Sequence, residues 1–107
     1  ITIAEEATAM IERALDKGRR VGINAAAGRL YTSRSKLCAT FKAQTSESLG
    51  AYIRRRRMER AQDLLADSAL TIAQVAERLG YPQQAAFAQA FKQHTGTTPT
   101  AWRSKHR

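Results

Sequence analysis

The chain has 107 residues, with 18 Lys and Arg against nine Asp and Glu and a formal net charge of +9. This length fits one domain, or two very small ones that share an element. The composition excludes a membrane span, because no window is apolar enough. It shows no stretch with the pattern of a secretory signal, and the single cysteine, Cys38, rules out an internal disulfide framework.

Seven helices are predicted, because apolar residues recur at helical spacing and the alternation typical of strands is absent. The first covers residues 4–16 and is followed by Gly18 as a stop signal. A short second helix covers residues 23–30. Ser33 is a suitable N-cap for a third helix over residues 34–44.

The fourth predicted helix is long. Either Ser46 or Ser48 opens it, and it reaches about Ala66. Thr71 begins the fifth helix, and Gln74 three residues later completes the form of a capping box.

The last two helices also carry local start and stop signals. Gly80 closes the fifth helix, and Gln83 starts a sixth helix that runs to about His94. Thr98 and Pro99 have the form of an N-cap and the first residue of a seventh helix.

One pattern of residues occurs twice, about fifty residues apart. The matching positions are Ile23 and Ile72, Ala27 and Ala76, Leu30 and Leu79, Leu37 and Phe87, and Phe41-Lys42 and Phe91-Lys92. Each copy consists of a short helix, a tight turn and a second helix, which is the arrangement of a helix-turn-helix unit. A unit of about 50 residues would bury only a small core, so we expect the two copies to share a helix.

We therefore predict an all-α fold with two homeodomain-like helix-turn-helix subdomains. The first covers residues 1–45, a linker helix covers 46–67, and the second subdomain covers 68–107. Helix-turn-helix units place their second helix in the major groove of DNA.

The first 18 residues hold four acidic and two basic side chains, so residues 19–107 carry a net charge of +11. This basic body favours nucleic acid as the partner. Two alternatives are charge kept for solubility and a basic module that binds an acidic protein.

The candidates for contacting bases lie on the third and sixth helices, away from the apolar face. At about 100° per residue, Leu37 and Phe41 point inward on the third helix, as do Phe87 and Phe91 on the sixth. The predicted base-contacting residues are Arg34, Ser35, Cys38, Ala39, Gln84, Ala85 and Gln89. Arginine can donate two hydrogen bonds to guanine, glutamine can pair with adenine, and alanine can touch a thymine methyl. Cys38 is interpreted as a small, partly buried residue rather than a redox sensor.

A second set of residues is predicted to bind phosphates, which adds affinity without specificity. These residues are Ser33, Lys36, Lys42, Arg55, Arg56, Gln83 and Lys92. Residues 54–57 are four consecutive arginines, slightly more than one helical turn, so they point in every direction. We expect Arg57 to be structural. The candidate acidic partners of the other three are Glu59, Asp63 and Asp67.

The sequence does not indicate an enzyme. His94 and His106 lie in polar, basic surroundings, with no Cys or carboxylate at metal-ligand spacing. No glycine-rich phosphate loop or nucleophile elbow is present. We predict no catalytic residue, no metal site and no cofactor.

Over roughly residues 5–104 the chain resembles the DNA-binding domain of the AraC/XylS family of bacterial transcription regulators. The most specific stretch is residues 70–81, Leu-Thr-Ile-Ala-Gln-Val-Ala-Glu-Arg-Leu-Gly-Tyr. It is continued by Phe87, Phe91-Lys92, Gly96, Pro99 and Trp102-Arg103. The residues that resemble the family's linker helix are Arg57, Met58, Ala61, Leu64 and Leu65.

The resemblance implies a sequence-specific domain that binds double-stranded DNA with two recognition helices in successive major-groove segments. It implies a transcription activator rather than a pure repressor, with RNA polymerase as a further partner and no membrane. The expected location is the bacterial cytoplasm, at the nucleoid. Because the chain begins at Ile1 and not at Met, we expect an effector or dimerisation domain upstream of this fragment.

Overall fold

The computed structural model describes residues 2–19 and 22–106, and that part of the chain contains seven α-helices and no strand. The helices are α1 (Ile3–Asp16), α2 (Ile23–Arg29), α3 (Arg34–Thr45), α4 (Leu49–Leu65), α5 (Ile72–Arg78), α6 (Gln84–Thr95) and α7 (Pro99–Lys105). The predicted all-α fold is confirmed. None of the described helices is long and apolar enough to cross a membrane.

The helix starts follow the capping signals in the sequence. Thr71 and Gln74 form the complete capping box of α5, with each side chain bonded to the other residue's backbone nitrogen. The Thr98 side chain accepts a hydrogen bond from the backbone nitrogen of Ala101, with Pro99 in the first position of α7. Both predicted helix starts are confirmed.

Two serines near the start of α4 have different roles. The Ser48 hydroxyl accepts a hydrogen bond from the backbone nitrogen of Ala51 at 3.2 Å, as expected of an N-cap. Ser46 instead ends α3, with a left-handed backbone at φ 66°. Ser48 is therefore the residue that opens α4.

Contacts divide the chain into two compact units, Ile1–Arg55 and Arg56–Arg107, with the division inside α4. The core of the first unit is formed by Ala4, Ala7, Ile11, Leu15, Ala26, Ala27, Leu37, Phe41 and Leu49. Tyr52 packs on it, with its ring 5.5 Å from the Phe41 ring and its hydroxyl donating to Glu12 at 2.9 Å. The division into two subdomains and a separate linker over 46–67 remains a prediction.

The second unit has an aromatic core. Its buried members are Met58, Ala61, Leu65, Val75, Ala76, Leu79, Phe87 and Phe91. The ring centroid of Phe91 lies 5.8 Å from that of Phe87 and 6.2 Å from that of Trp102. Edge-on ring pairs at these distances stabilise a core beyond the area they bury.

Arg57 and Arg103 bind the carboxyl ends of two helices in the second unit. The Arg57 guanidinium donates to the Leu79 carbonyl oxygen at 2.8 and 3.2 Å, just after α5. The same group lies 3.8 Å from the centroid of the Tyr81 ring. Arg103 donates to the carbonyl oxygen of Leu65, the last residue of α4, at 3.0 Å. Arg57 therefore has the structural role expected from the sequence.

The two units differ at their left-handed turn positions. In the second unit these positions are glycines, Gly80 at φ 81° and Gly96 at φ 84°. At the corresponding positions the first unit has Tyr31 at φ 57° and Ser46 at φ 66°. An L-residue with a side chain is strained by about 1–2 kcal/mol in this conformation, whereas glycine is not. The first unit therefore stores backbone strain that the second avoids.

Exchanging glycine and non-glycine residues at these turns should change stability in opposite directions. Gly96→Ala should lower the free energy of unfolding by about 1 kcal/mol, and Ser46→Gly should raise it by a smaller amount. No atom lies within 4 Å of a Cβ built on Gly96, so the loss reflects the backbone alone. Urea unfolding followed by circular dichroism measures both changes. Stabilisation by Gly96→Ala would contradict the strain argument.

Candidate nucleic-acid interface

The outer side of α3 presents the residues predicted for it. Leu37 and Phe41 are fully buried, which fixes the rotation of the helix. Arg34, Ser35 and Ala39 are exposed. Lys36 and Lys42, which are predicted to bind phosphates, are exposed as well. The helix contains no acidic residue, so nothing on it would repel a phosphate.

Cys38 is less exposed than the other residues of α3 that are predicted to contact bases. Its side chain is half-buried and packs against the core of the first unit. Only part of it can face a ligand, in agreement with its interpretation as a small, partly buried residue. The angular argument placed it away from the apolar face of α3, but could not give the depth of the neighbouring core.

The amino terminus of α3 is already organised for an anion. The Ser33 hydroxyl oxygen accepts from the Lys36 backbone nitrogen at 3.1 Å, and its proton remains able to donate. Nη1 of Arg34 lies 3.5 Å from Oδ1 of Asn24, a long and therefore weak contact that a base edge could displace. The sequence did not suggest this contact with Asn24.

The outer side of α6 has the same construction with different chemistry. Phe87 and Phe91 are fully buried. The residues predicted to contact DNA are exposed, namely Gln84, Ala85, Gln89 and Lys92. Gln83 is the N-cap of α6 and makes no side-chain capping bond. This helix also lacks acidic residues, and it offers amides where α3 offers an arginine.

The run of arginines in α4 is largely engaged with protein groups. Arg55 donates to both carboxylate oxygens of Glu47 at 3.0 Å, and Arg56 pairs with Glu59 at 2.9 Å. The hydrogen bonds from Arg55 hold the pKa of Glu47 below its usual value, and its positive charge adds to the effect. A phosphate contact by Arg55 or Arg56 would have to compete with these ion pairs.

Arg54 is the remaining member of the run. It is exposed, and within the part of the chain that the structure describes it makes no ion pair. The sequence predicted Glu59 as a partner for this run but not Glu47, which lies eight residues before Arg55 in the turn preceding α4. Arg54 is therefore better placed for an added phosphate contact than the two predicted arginines.

One exposed residue beside α3 had no role in the sequence prediction. The Tyr31 side chain, in the turn before α3, is 98% exposed. His94 and His106 are also exposed, and the His106 ring stacks on Trp102 with centroids 4.0 Å apart. Among the described residues, no group of three or more His, Cys, Asp or Glu side chains could hold a metal ion.

Comparison with known proteins gives consistent results. A family model for a helix-turn-helix domain (HTH_18) matches residues 26–105, well over half of the chain. The Msm operon regulatory protein of Streptococcus mutans is 35% identical over 88 residues, covering 82% of this chain and 32% of that protein. The chain thus spans about a third of the length of this curated relative.

Two solved structures share the fold over almost the whole chain. The C-terminal domain of AraT, a response regulator from Geobacillus stearothermophilus, superposes with a TM-score of 0.89 at 28% identity, covering 98% of this chain and 86% of that one. The DNA-binding domain of the global transcriptional factor AdpA, solved in complex with a target DNA, gives a TM-score of 0.83 at 26% identity. That match covers 98% of this chain and 92% of that domain.

Proposed function

This chain belongs to the AraC/XylS-type family of helix-turn-helix DNA-binding domains of transcription regulators, which are not enzymes, and from that premise we propose that it binds double-stranded DNA sequence-specifically through α3 and α6. One observation carries the proposal. Each of these two helices is fixed by two fully buried side chains, lacks acidic residues and exposes hydrogen-bond donors on its outer side.

The base contacts are assigned by chemistry. Arg34 suits guanine, because its guanidinium can donate two parallel hydrogen bonds to O6 and N7. Gln84 and Gln89 suit adenine, whose N6 and N7 pair with a side-chain amide. Small side chains, those of Ser35, Cys38, Ala39 and Ala85, allow close approach and contact with thymine methyl groups. The two helices therefore recognise different base sequences.

The phosphate contacts are assigned to exposed groups around these helices. They are Ser33, Lys36, Lys42, Gln83 and Lys92, with Arg55 and Arg56 available when their carboxylate partners are released. To these we add Arg54, which is exposed in the same run. Such contacts fix the position of the domain on the duplex but carry no sequence information.

Three further parts of the proposal concern the whole regulator. In the first, α3 and α6 occupy successive major-groove segments, which the duplicated sequence pattern favours. In the second, the protein activates transcription together with RNA polymerase. In the third, an effector or dimerisation domain accompanies this one, since the chain spans about a third of a curated relative's length.

Removing a base contact should change sequence preference at one position. We expect Arg34→Ala or Gln89→Ala to weaken binding to the selected site by about 1–3 kcal/mol and to relax the preference for one base pair. Selection from randomised DNA, followed by competition binding on single-base variants, measures this. Arg78→Ala and Gln93→Ala are matched controls, because both residues are exposed but lie outside the proposed contacts. An unchanged preference profile for both test variants would remove these assignments.

Removing a phosphate contact should act equally on all sequences. For Lys42→Ala and Lys92→Ala we expect weaker binding to every duplex, and a plot of log K against log salt that is shallower by about 0.9 per residue. Lys105→Ala, which removes the same charge from an exposed position on α7, should leave the slope nearly unchanged. A gel-shift series in increasing salt gives both quantities. If no specific complex forms at moderate salt, the basic surface would instead suit an acidic protein partner.

A further inference from the structure

A cavity of about 190 Å³ lies between α1 and α2 in the first unit. Its apolar lining includes Met10 and the buried Ala26. Four basic side chains also line it, namely Arg13, Lys17, Arg19 and Arg29, and no acidic side chain appears among its described lining residues. A concave site with one sign of charge and an apolar floor concentrates the electrostatic field inside it.

These four cations differ from most of the arginines in α4. Arg55 and Arg56 are paired with carboxylates, and Arg57 is bonded to a carbonyl oxygen. Within residues 2–19 and 22–106, the four cations of the cavity make no ion pair and no side-chain hydrogen bond. Arg13 and Arg29 each lie in the last turn of a helix, where the helix dipole favours a cation. That accounts for their helix positions but not for the convergence of four charges on one cavity.

The cavity is separate from the proposed DNA-contacting helix. None of its described lining residues belongs to α3, the helix of this unit that carries the predicted base contacts. The predicted base contacts on α3 therefore do not account for its positive charge.

We propose that the cavity between α1 and α2 binds a small organic anion, with a carboxylate or phosphate held by Arg13 and Arg29 and a compact apolar body against Met10 and Ala26. Guanidinium groups suit both head groups, because their planar donors match carboxylate and phosphate oxygens. The volume is below the range of about 300–1,000 Å³ for drug-sized ligands, which limits the ligand to roughly the size of one ring. This site does not rest on the DNA-binding proposal.

The test is a titration of the full chain with phenyl phosphate, benzoate, inorganic phosphate and phenol, followed by amide chemical shifts in ¹⁵N-labelled protein. We expect saturable shifts at Ala14, Gly22 and Ala26 with phenyl phosphate or benzoate, and the tighter of the two identifies the head group. Phenol lacks the charge and inorganic phosphate lacks the apolar body, so both should bind at least about tenfold more weakly. Equal binding of inorganic phosphate would overturn the assignment to an organic anion.

Two variants locate the site. Arg13→Gln combined with Arg29→Gln should weaken phenyl phosphate binding by about tenfold or more, whereas Arg78→Gln should not. Arg78 is the matched control, because it stands in the last turn of α5 as Arg29 does in α2. Ala25→Leu enlarges a side chain of the cavity lining while all four cations remain, and should also abolish the shifts. Equal losses with Arg78→Gln, or displacement of phenyl phosphate by a selected DNA duplex, would overturn the proposal.

Discussion

Phe91→Ala should lower the free energy of unfolding measured in the second unit by about 3–5 kcal/mol. Phe91 is fully buried, and its ring has both the Phe87 and the Trp102 rings as neighbours. Truncation removes the buried ring, leaves a cavity and breaks two aromatic contacts at once. Hydrogen exchange of the amides in α5 and α6 under native conditions measures the change in that part of the molecule.

Phe41→Ala is the matched control for Phe91→Ala. Phe41 stands at the corresponding position of α3 and is also fully buried, with the Tyr52 ring as its aromatic neighbour. Its loss should reduce protection first in α1 to α3. If Phe91→Ala lowered the free energy of unfolding measured by amide exchange in α5 and α6 by less than about 1 kcal/mol, the ring would not have the large stabilising role expected here.

Under the proposed function, Phe91→Ala should also remove the base preference contributed by α6. The preference contributed by α3 should persist wherever the first unit remains folded. Selection from randomised DNA with the Phe91→Ala variant distinguishes the two contributions. Loss of the α3 preference while α1 to α3 keep their amide protection would contradict the assignment of separate bases to the two helices.

The helices could be predicted because their signals lie within a few residues of one another. Thr71 and Gln74 cap α5 through bonds that span three positions, and Pro99 follows its capping threonine directly. Helical periodicity also identified the buried sides of the two helices, since the pair Leu37 and Phe41 on α3 and the pair Phe87 and Phe91 on α6 are each four residues apart. Local chemistry was sufficient for this part of the fold.

Contacts between distant residues were not predictable in the same way. The Arg57 side chain binds a carbonyl oxygen 22 residues away. Arg55 pairs with Glu47, before its own helix, rather than with Asp63 or Asp67. An arginine side chain is long enough to reach several acceptors, so the packing of neighbouring elements selects its partner. The cavity between α1 and α2 has the same origin, because its lining comes from two helices whose packing the sequence did not specify.

The candidate interface could be predicted only as a set of exposed residues. Sequence periodicity placed Arg34 and Gln89 on the outer side, and both are exposed. Which base each would contact depends on the depth and angle of the helix in the groove, which no residue pattern encodes. The exposure of Tyr31 also escaped prediction, because its left-handed conformation depends on the turn that joins α2 to α3.

Arg57→Met should lower the free energy of unfolding by about 2–4 kcal/mol in the second unit, through loss of its bonds to a carbonyl oxygen and of its contact with an aromatic ring. Methionine keeps much of the apolar stem, so the loss isolates the guanidinium. Its two donors bind the Leu79 carbonyl oxygen at 2.8 and 3.2 Å, and its carbon lies 3.8 Å from the Tyr81 ring centroid. Arg57→Lys should lower the free energy of unfolding by a smaller amount, because an ammonium group keeps the charge but cannot donate two hydrogen bonds from a planar fork.

Arg54→Met is the matched control, since Arg54 belongs to the same run and is exposed. It should change stability by less than about 0.5 kcal/mol. Urea unfolding of the three variants measures their stability, and amide exchange in α5 locates the change. Together they separate a specific stabilising contact of Arg57 from the effect of removing one positive charge. Equal stabilities for Arg57→Met and Arg54→Met would show that the bond to Leu79 contributes nothing. A large loss in Arg57→Met alone would establish that one arginine of the run stabilises the turn from which α6 starts, and so the surface that α6 presents.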